Sequence, residues 1–451
     1  MKPLSPRARR WLTAGLIVVV ILALGAWFLL PPRALSFAGG HTVTLADYKG
    51  ASPVGVPADL RAADFITRGR YLTQAADCEV CHTREGGERF AGGRAFKTPF
   101  GVLYSPNITA DPETGIGAWT DAEFLRAVHT GVAKDGERLY PAFPYDSYTL
   151  IADDDVRAIR AYLFSLPPVH ATAPPNSLRF PFNQRWLMGI WAAFYNPDQR
   201  FRPHEDRSAE WNRGAYLAEA LTHCGECHTP RNLAQALDNR RKFAGALTAG
   251  WRAYNITADP VSGIAAWNDT ELAEYLRSGH AVGRGPASGP MAEEIDVSTS
   301  MLTAADLQAL ITYLRSIPAI RSSDLPAPKT APAPDSPGPM QAGLDSRGKE
   351  IFAGACVSCH SWSGVSLLTS YATLTGDRAV NDPSAINVAQ IVLAGELRHT
   401  PEGAVLMPSF GDAYSDTEIA AVANYVTARY GALPSHLAAK DVARLRTLSS
   451  N

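Results

Sequence analysis

Three five-residue stretches decide how the sequence is read: Cys78-Glu79-Val80-Cys81-His82, Cys224-Gly225-Glu226-Cys227-His228 and Cys356-Val357-Ser358-Cys359-His360. They hold all six cysteines of the 451-residue chain, so no thiol is left for a structural disulfide. Two thiols one helical turn apart can add to the two vinyl groups of a single haem, and the histidine that follows then faces the iron. Structural zinc is the competing reading. Three knuckles do not pair off evenly into four-cysteine sites, and a histidine beside the second cysteine adds nothing to a tetrahedral one. A thioredoxin-like redox pair would need a single motif in a βαβ setting. The motifs therefore imply three covalent haem c groups, with their iron bound by His82, His228 and His360.

Working outward, each motif sits in a repeated unit. Arg68-Gly69-Arg70-Tyr71-Leu72 precedes Cys78, Arg213-Gly214-Ala215-Tyr216-Leu217 precedes Cys224, and Arg347-Gly348 with Ile351-Phe352 precedes Cys356. A second block follows the first two motifs: Asn107 to Pro112 with Gly115, Ile116 and Trp119, and Asn255 to Pro260 with Gly263, Ile264 and Trp267. The third unit lacks it and is shorter. Each unit should close with an amphipathic helix, carried by Val156/Ile159/Leu163, Leu307/Leu310/Ile311/Leu314 and Ile419/Val422/Ala423/Val426. Asp153, Thr303 and Ser415 stand where their N-caps are expected. Gly69, Gly214 and Gly348 would let each opening helix cross its closing helix at close range. The expected fold class is all-α: three tandem cytochrome c domains at 60–170, 205–320 and 344–433, behind an N-terminal transmembrane helix.

The second axial ligand of an electron carrier is usually a methionine. Met407 in Met407-Pro408-Ser409 precedes the third closing helix, and Met291 follows Gly289-Pro290 at a similar place in the second unit, leaving Met301 as a core residue. The first unit has Phe143 at this place and no methionine between Arg68 and His170. Met188 folding back is the favoured sixth ligand there; His129, Lys134 or a five-coordinate iron covered by Phe143 are the alternatives.

The N-terminus carries Lys2, Arg7, Arg9 and Arg10 and then an apolar run from Trp11 to Leu30, about the ~20 residues that cross a bilayer. This run exceeds a cleaved signal's apolar region and ends in bulky Trp27, Phe28, Leu29 and Leu30 before Pro31-Pro32, so residues 1–35 read as a retained membrane anchor (or uncleaved signal) with the body exported. Forty-two basic against 44 acidic residues give no field for nucleic acid. Residues 321–343 are proline-rich and read as a semi-rigid, extended linker that sets the third unit apart. Residues 167–208 contain Phe180, Phe182, Trp186, Trp191, Phe194 and Tyr195, expected to pack between the first two units, with a partner or membrane surface as the alternative.

With these residues in view, the chain resembles the three-haem cytochrome c subunits of membrane-bound periplasmic dehydrogenases. The resemblance covers nearly the whole chain after the anchor and rests on the haem motifs, both Asn-Ile-Thr-Ala-Asp-Pro blocks, Leu139-Tyr140-Pro141-Ala142, Gly289-Pro290-Met291 and Met407-Pro408. Alcohol and gluconate types have methionine where Phe143 stands here. Phe143, Ser361 to Ser366 and Ala379 to Pro383 look more like the subunits paired with molybdenum hydroxylases of the aldehyde and isoquinoline type. The resemblance implies a non-catalytic relay on the periplasmic side of the inner membrane. A dehydrogenase subunit, with an iron–sulfur subunit, would feed it, and ubiquinone or a terminal oxidase would accept the electrons. Quinoprotein alcohol and flavin gluconate or sorbitol dehydrogenases are the alternative partners. A haem peroxidase or gas-binding cytochrome with an open first haem is the alternative of another class. The chain has no nicotinamide fingerprint, hydrolytic triad or second metal motif, so substrate chemistry falls to a partner.

Overall fold

A computed structural model describes residues 6–39, 50, 52, 54–337, 346–400 and 403–449. The described chain is mostly helical and begins with the helix Pro6–Leu29. Within it, Arg10–Leu29 is long and apolar enough to cross a membrane, with a mean hydropathy of 2.6 and no buried residue.

In the first repeat the opening helix Phe65–Ala75, capped by the Asp64 side chain, runs into the Cys78–His82 turn. In the second, Ala209–Tyr216 is capped by Ser208 and continues through a π turn, Leu217–Leu221, to Gly225–His228. In the third, Ser346–Ile351 passes through a π turn, Phe352–Cys356, to Val357–His360. The closing helices are Asp153–Ser165, Ala304–Arg315 and Asp416–Tyr430. Each opening helix crosses its closing helix backbone to backbone. A Cβ on Gly69, Gly214 or Gly348 would fall on the carbonyl oxygen of Ala158, Ala309 or Ala421, which is why glycine recurs there. One ion pair recurs beside the crossing: Arg68 with Asp155, Arg213 with Asp306 and Arg347 with Glu418.

Thr303 and Ser415 cap their helices as expected, Ser415 in a reciprocal pair with Glu418. Asp153 does not. Ala152 holds the cap position and Asp153 opens the helix with Asp154 and Asp155, where carboxylates suit the positive end of the helix dipole. Short antiparallel hairpins accompany the helices, at Ala95–Thr98/Gly101–Tyr104, Ala246–Thr248/Trp251–Ala253, His280–Ala281/Gly285–Pro286 and Glu396–Thr400/Gly403–Met407. Period-two patterns this short do not stand out from loops.

The first two repeats share a single apolar core. They are joined by a reciprocal exchange. Tyr71 of the first opening helix donates to Asp306 of the second closing helix (2.6 Å), and Tyr216 of the second opening helix donates to Asp155 of the first closing helix (2.7 Å). Each hydroxyl in turn accepts from the backbone at the start of that closing helix, Tyr216 from Ala152 (3.0 Å) and Tyr71 from Thr303 (3.3 Å). The third repeat has its own core, extended past residue 433 by the helix Ala439–Ser449, which buries Val442 and Leu445.

The described part of the proline-rich segment, 321–337, forms no regular element, but it is packed down and does not hold the third repeat at a distance. Leu325 is buried, Lys329 N–H donates to Asn381 (2.8 Å), and Arg378 donates to the Pro326 carbonyl (2.8 Å). Arg252 of the second repeat pairs with buried Asp382 of the third (3.1 Å) and with Asp324. The aromatic segment also departs from expectation. Trp191 is held between the Tyr145 ring (5.9 Å) and the Ala234 carbonyl (2.9 Å), whereas Phe180, Trp186 and Phe194 are 79%, 62% and 63% exposed.

Gly214→Ala should lower stability by about 1–3 kcal/mol, since a backbone crossing cannot relax around a methyl group. Gly354→Ala, where no atom lies within 4 Å, should leave the thermal midpoint unchanged; equal effects of the two would refute the crossing argument. Arg252→Ala should cost roughly 3 kcal/mol by taking the ion-pair partner from the buried Asp382 carboxylate, read as earlier thermal loss of the third repeat in calorimetry.

Candidate haem-attachment sites

Each motif folds as one helical turn whose histidine ring is fixed by a main-chain carbonyl. Nδ1 of His82 lies 2.8 Å from the Pro106 carbonyl, Nδ1 of His228 lies 2.6 Å from that of Tyr254, and Nδ1 of His360 lies 2.7 Å from that of Ala372. A carbonyl only accepts, so Nδ1 carries the proton and Nε2 keeps its lone pair. Burial lowers the pKa of all three imidazoles, against the raising effect of the carbonyl bond, which favours the neutral form that binds metal. Burial likewise pushes the Cys81, Cys224 and Cys227 thiols up to about 12 and Cys356 to about 11. None of the six cysteines is bridged to another, and each pair lies one turn apart beside its imidazole. This donor set fits haem c, which supplies reversible one-electron chemistry when bound.

The repeated Asn-Ile-Thr-Ala-Asp-Pro blocks prove to be the supports of these carbonyls. Pro106 and Tyr254 are the residues immediately before Asn107 and Asn255. Asn107 accepts from Thr109 N–H (2.9 Å) and donates to the Val169 carbonyl (2.7 Å); Asn255 accepts from Thr257 N–H (2.9 Å) and donates to the Ile320 carbonyl (2.6 Å). Asp111 and Asp259 tie the following turn, each accepting from the backbone N–H of Thr114 or Ser262 at 2.6 Å. The sequence showed the repeated asparagines, but a carbonyl acceptor has no side-chain signature.

The first and second motifs adjoin. Tyr148 donates to the Ala76 carbonyl, just before Cys78, while its ring lies 5.4 Å from that of His223, just before Cys224. Ser147 donates to Glu226 inside the second motif (2.7 Å), and Cys227 is close enough to raise the Cys81 pKa. Buried Asp77 and half-buried Glu294 and Asp146 lie here, each with a buried oxygen that has no protein partner. Burial first, and neighbouring carboxylates for Asp77 and Asp146, push them up: Glu294 to about 7, Asp146 to about 8 and Asp77 well above its ordinary value. This zone therefore carries less negative charge at neutral pH than its composition suggests.

The second repeat touches the third through the support of His360. Tyr371, next to Ala372, stacks on His280 at 4.4 Å and donates to the Ser278 carbonyl (3.3 Å). Met291 packs against the shared core and Met407 against the third repeat's core. Met301 is 47% exposed on a short turn, not the core residue expected. The segments of Met291 and Met407 are linked, because Gly289 N–H donates to Glu396 (2.9 Å), the strand partner of Met407.

Around the first motif, two of the expected alternatives have other partners. His129 is buried, with Nε2 bonded to the Ile151 carbonyl (3.0 Å), and its pKa falls to about 4 through burial and the nearby Arg200 charge. Lys134 donates to the Ala118 carbonyl (2.6 Å). Phe143 packs into the shared core, edge-on to Tyr148 at 5.5 Å. Met188 is half-buried on the helix Trp186–Tyr195, which meets the Phe143 segment through Trp191 and Tyr145.

Comparison with known proteins agrees with this geometry. The fructose dehydrogenase cytochrome subunit of Gluconobacter japonicus is 37% identical, over 84% of this chain and 82% of its own. This chain is a member of the dehydrogenase cytochrome c subunit family. The gluconate 2-dehydrogenase cytochrome c subunit of Pantoea cypripedii is 34% identical over 86% of this chain and 91% of its own. A nicotinate dehydrogenase subunit of Pseudomonas putida is 40% identical over 82% of this chain, which spans 31% of that longer protein. Residues 343–426 match the family described as cytochrome c oxidase, cbb3-type, subunit III. As a cytochrome c subunit the chain carries covalent haem c and transfers electrons, and its relatives are subunits of dehydrogenase complexes.

Asn255→Ala should leave the Tyr254 peptide unsupported and the buried Thr257 N–H without its acceptor, costing about 1–3 kcal/mol. Thermal loss of the covalently held haem absorbance should then start at lower temperature, and an unchanged midpoint would remove the asparagine from the support of His228.

Proposed function

We propose that this subunit holds three haem c groups in tandem cytochrome c domains at 60–170, 205–320 and 344–433 and relays electrons across the periplasmic face of the inner membrane. Cys78/Cys81, Cys224/Cys227 and Cys356/Cys359 attach the haems, and His82, His228 and His360 bind their irons. The carrying observation is the threefold recurrence of an imidazole fixed through Nδ1, in motifs that adjoin from first to second and touch from second to third. Met291 and Met407 complete the second and third irons, and Met188 is the favoured ligand of the first. The membrane reading rests on the apolar helix Arg10–Leu29.

The donor is a membrane-bound dehydrogenase, with the molybdenum hydroxylase type and its iron–sulfur subunit favoured, and the acceptor is ubiquinone or the respiratory chain. Phe143 supports that type, as does the likeness to a subunit named for nicotinate, an N-heterocycle. The substantial identity to fructose and gluconate dehydrogenase subunits supports the second reading, a flavin or quinoprotein partner.

Purification of the complex from its native membrane tests both. Three haems per chain by alkaline pyridine assay, rapid haem reduction on adding an aldehyde or N-heterocycle, and a co-purifying molybdenum subunit are expected. Two haems per chain, or no reduction by any dehydrogenase substrate, would end the proposal; a flavin or quinone cofactor in the partner would transfer it to the second reading.

A further inference from the structure

The aromatic segment between the first two repeats leaves one helix face uncovered, and this face adjoins the end of the membrane helix. On Trp186–Tyr195, the residues Trp186, Ile190, Ala193 and Phe194 follow helical spacing and are all exposed, at 62%, 51% and 63% for Trp186, Ile190 and Phe194. Phe180 and Phe182 extend the patch with exposures of 79% and 40%. The buried side of the same helix fixes it to the body through Trp191, Ala192 and the Arg185–Glu137 pair (2.7 Å). The patch is therefore a rigid surface and not a loose loop. A contiguous apolar area of this kind on a protein body marks a contact.

Three observations commit its occupant to lipid. First, the patch continues into the boundary of the span: Tyr195 donates to the Leu29 carbonyl (2.7 Å), the last residue of the membrane helix, and Asn232 donates to the same oxygen (3.0 Å). Arg240 bonds the Trp27 carbonyl and sits 5.3 Å over the Trp27 ring, and Asn239 donates to the Pro32 carbonyl (3.0 Å). The body is thus fastened where the helix leaves the hydrocarbon. Second, the residue types are those of the interfacial layer, where tryptophan and other aromatics sit at headgroup level. Third, the sequence has no aspartate or glutamate between Asp155 and Asp198, while Arg179 beside Phe180 and Arg33 just past the span are exposed. An apolar face whose own segment carries exposed arginine and no carboxylate, the neighbouring Glu137 being paired with Arg185, suits anionic headgroups.

We propose that the Trp186–Tyr195 helix, with Phe180 and Phe182, lies in the interfacial layer of the bilayer that Arg10–Leu29 crosses. It forms a second membrane contact that fixes the orientation of the haem-bearing body. This rests on the membrane reading above, so the test probes the two separately.

The full haem-loaded chain would carry the photoreactive residue p-benzoylphenylalanine in place of Trp186, Ile190 or Phe194, one at a time. Each protein is reconstituted without other subunits into vesicles of phosphatidylcholine and phosphatidylglycerol, and illuminated again in native membranes. Val19, within the span, and Leu368, on the third repeat and 71% exposed, take the same probe as references. Phospholipid adducts are expected at two or more of the three helix positions, at a yield near that of Val19 and about tenfold above Leu368. Adducts at Val19 alone would overturn the second contact and keep the anchor. No adduct at Val19 would overturn the membrane reading itself. Protein adducts at the helix in native membranes, with none to lipid in vesicles, would reassign the face to a partner subunit.

Discussion

The hydrogen bond from each haem-motif imidazole to a main-chain carbonyl is the constraint on which the rest of the structure depends. It fixes the tautomer, so Nε2 presents its lone pair, and it fixes the ring plane relative to the two thiols one turn away. A carbonyl can act as a positioning group only if its own peptide is held. In the first two repeats the following asparagine anchors that peptide to the end of the repeat. In the third the acceptor lies in a short turn that leans on the second repeat through Tyr371. The third site therefore takes part of its definition from its neighbour.

Around this constraint the helices are arranged by two devices that recur. Glycine at the crossing lets opening and closing helices approach at backbone distance, and an arginine–carboxylate pair holds the crossing from the side. The first two repeats go further. Tyr71 and Tyr216 each reach into the other's closing helix, so every carboxylate at a crossing serves both its own arginine and the facing tyrosine. A buried carboxylate with two donors is far less costly than one with a single donor. The shared core follows, since neither half closes its apolar face without the other.

What was legible in the sequence was what repeats. The motifs, the glycines, the caps at Thr303 and Ser415, the asparagine blocks and the apolar run at the N-terminus all carry local patterns, and their places are where the patterns put them. Asp153 misled because a carboxylate suits both a cap and a first helical turn, and Ala152 has no side chain to announce a cap. The packing of the proline-rich segment was not legible, because proline content reports backbone stiffness and says nothing of what the stiff segment lies against. The contacts of the third repeat with the second are single pairs about ninety residues or more apart, such as Arg252 with Asp382, and no window of sequence contains both. Trp191 and Phe194 look alike in sequence, yet one is held between two repeats and the other faces outward, since helix rotation depends on tertiary docking.

The link from Gly289 to Glu396 has a mechanical meaning. It ties the start of the Met291 segment to the strand opposite Met407, and Arg398 on that strand is buried and pairs with Asp296 (2.8 Å) on the same short helix as Met291. Two bonds from one hairpin clamp one helix, so neither methionine-bearing segment can shift without pulling on the other. A redox protein works fastest when its ligand shell moves least as charge arrives and leaves. In the proposed relay, where Met291 and Met407 complete the second and third irons, this strut would stiffen both with a single brace.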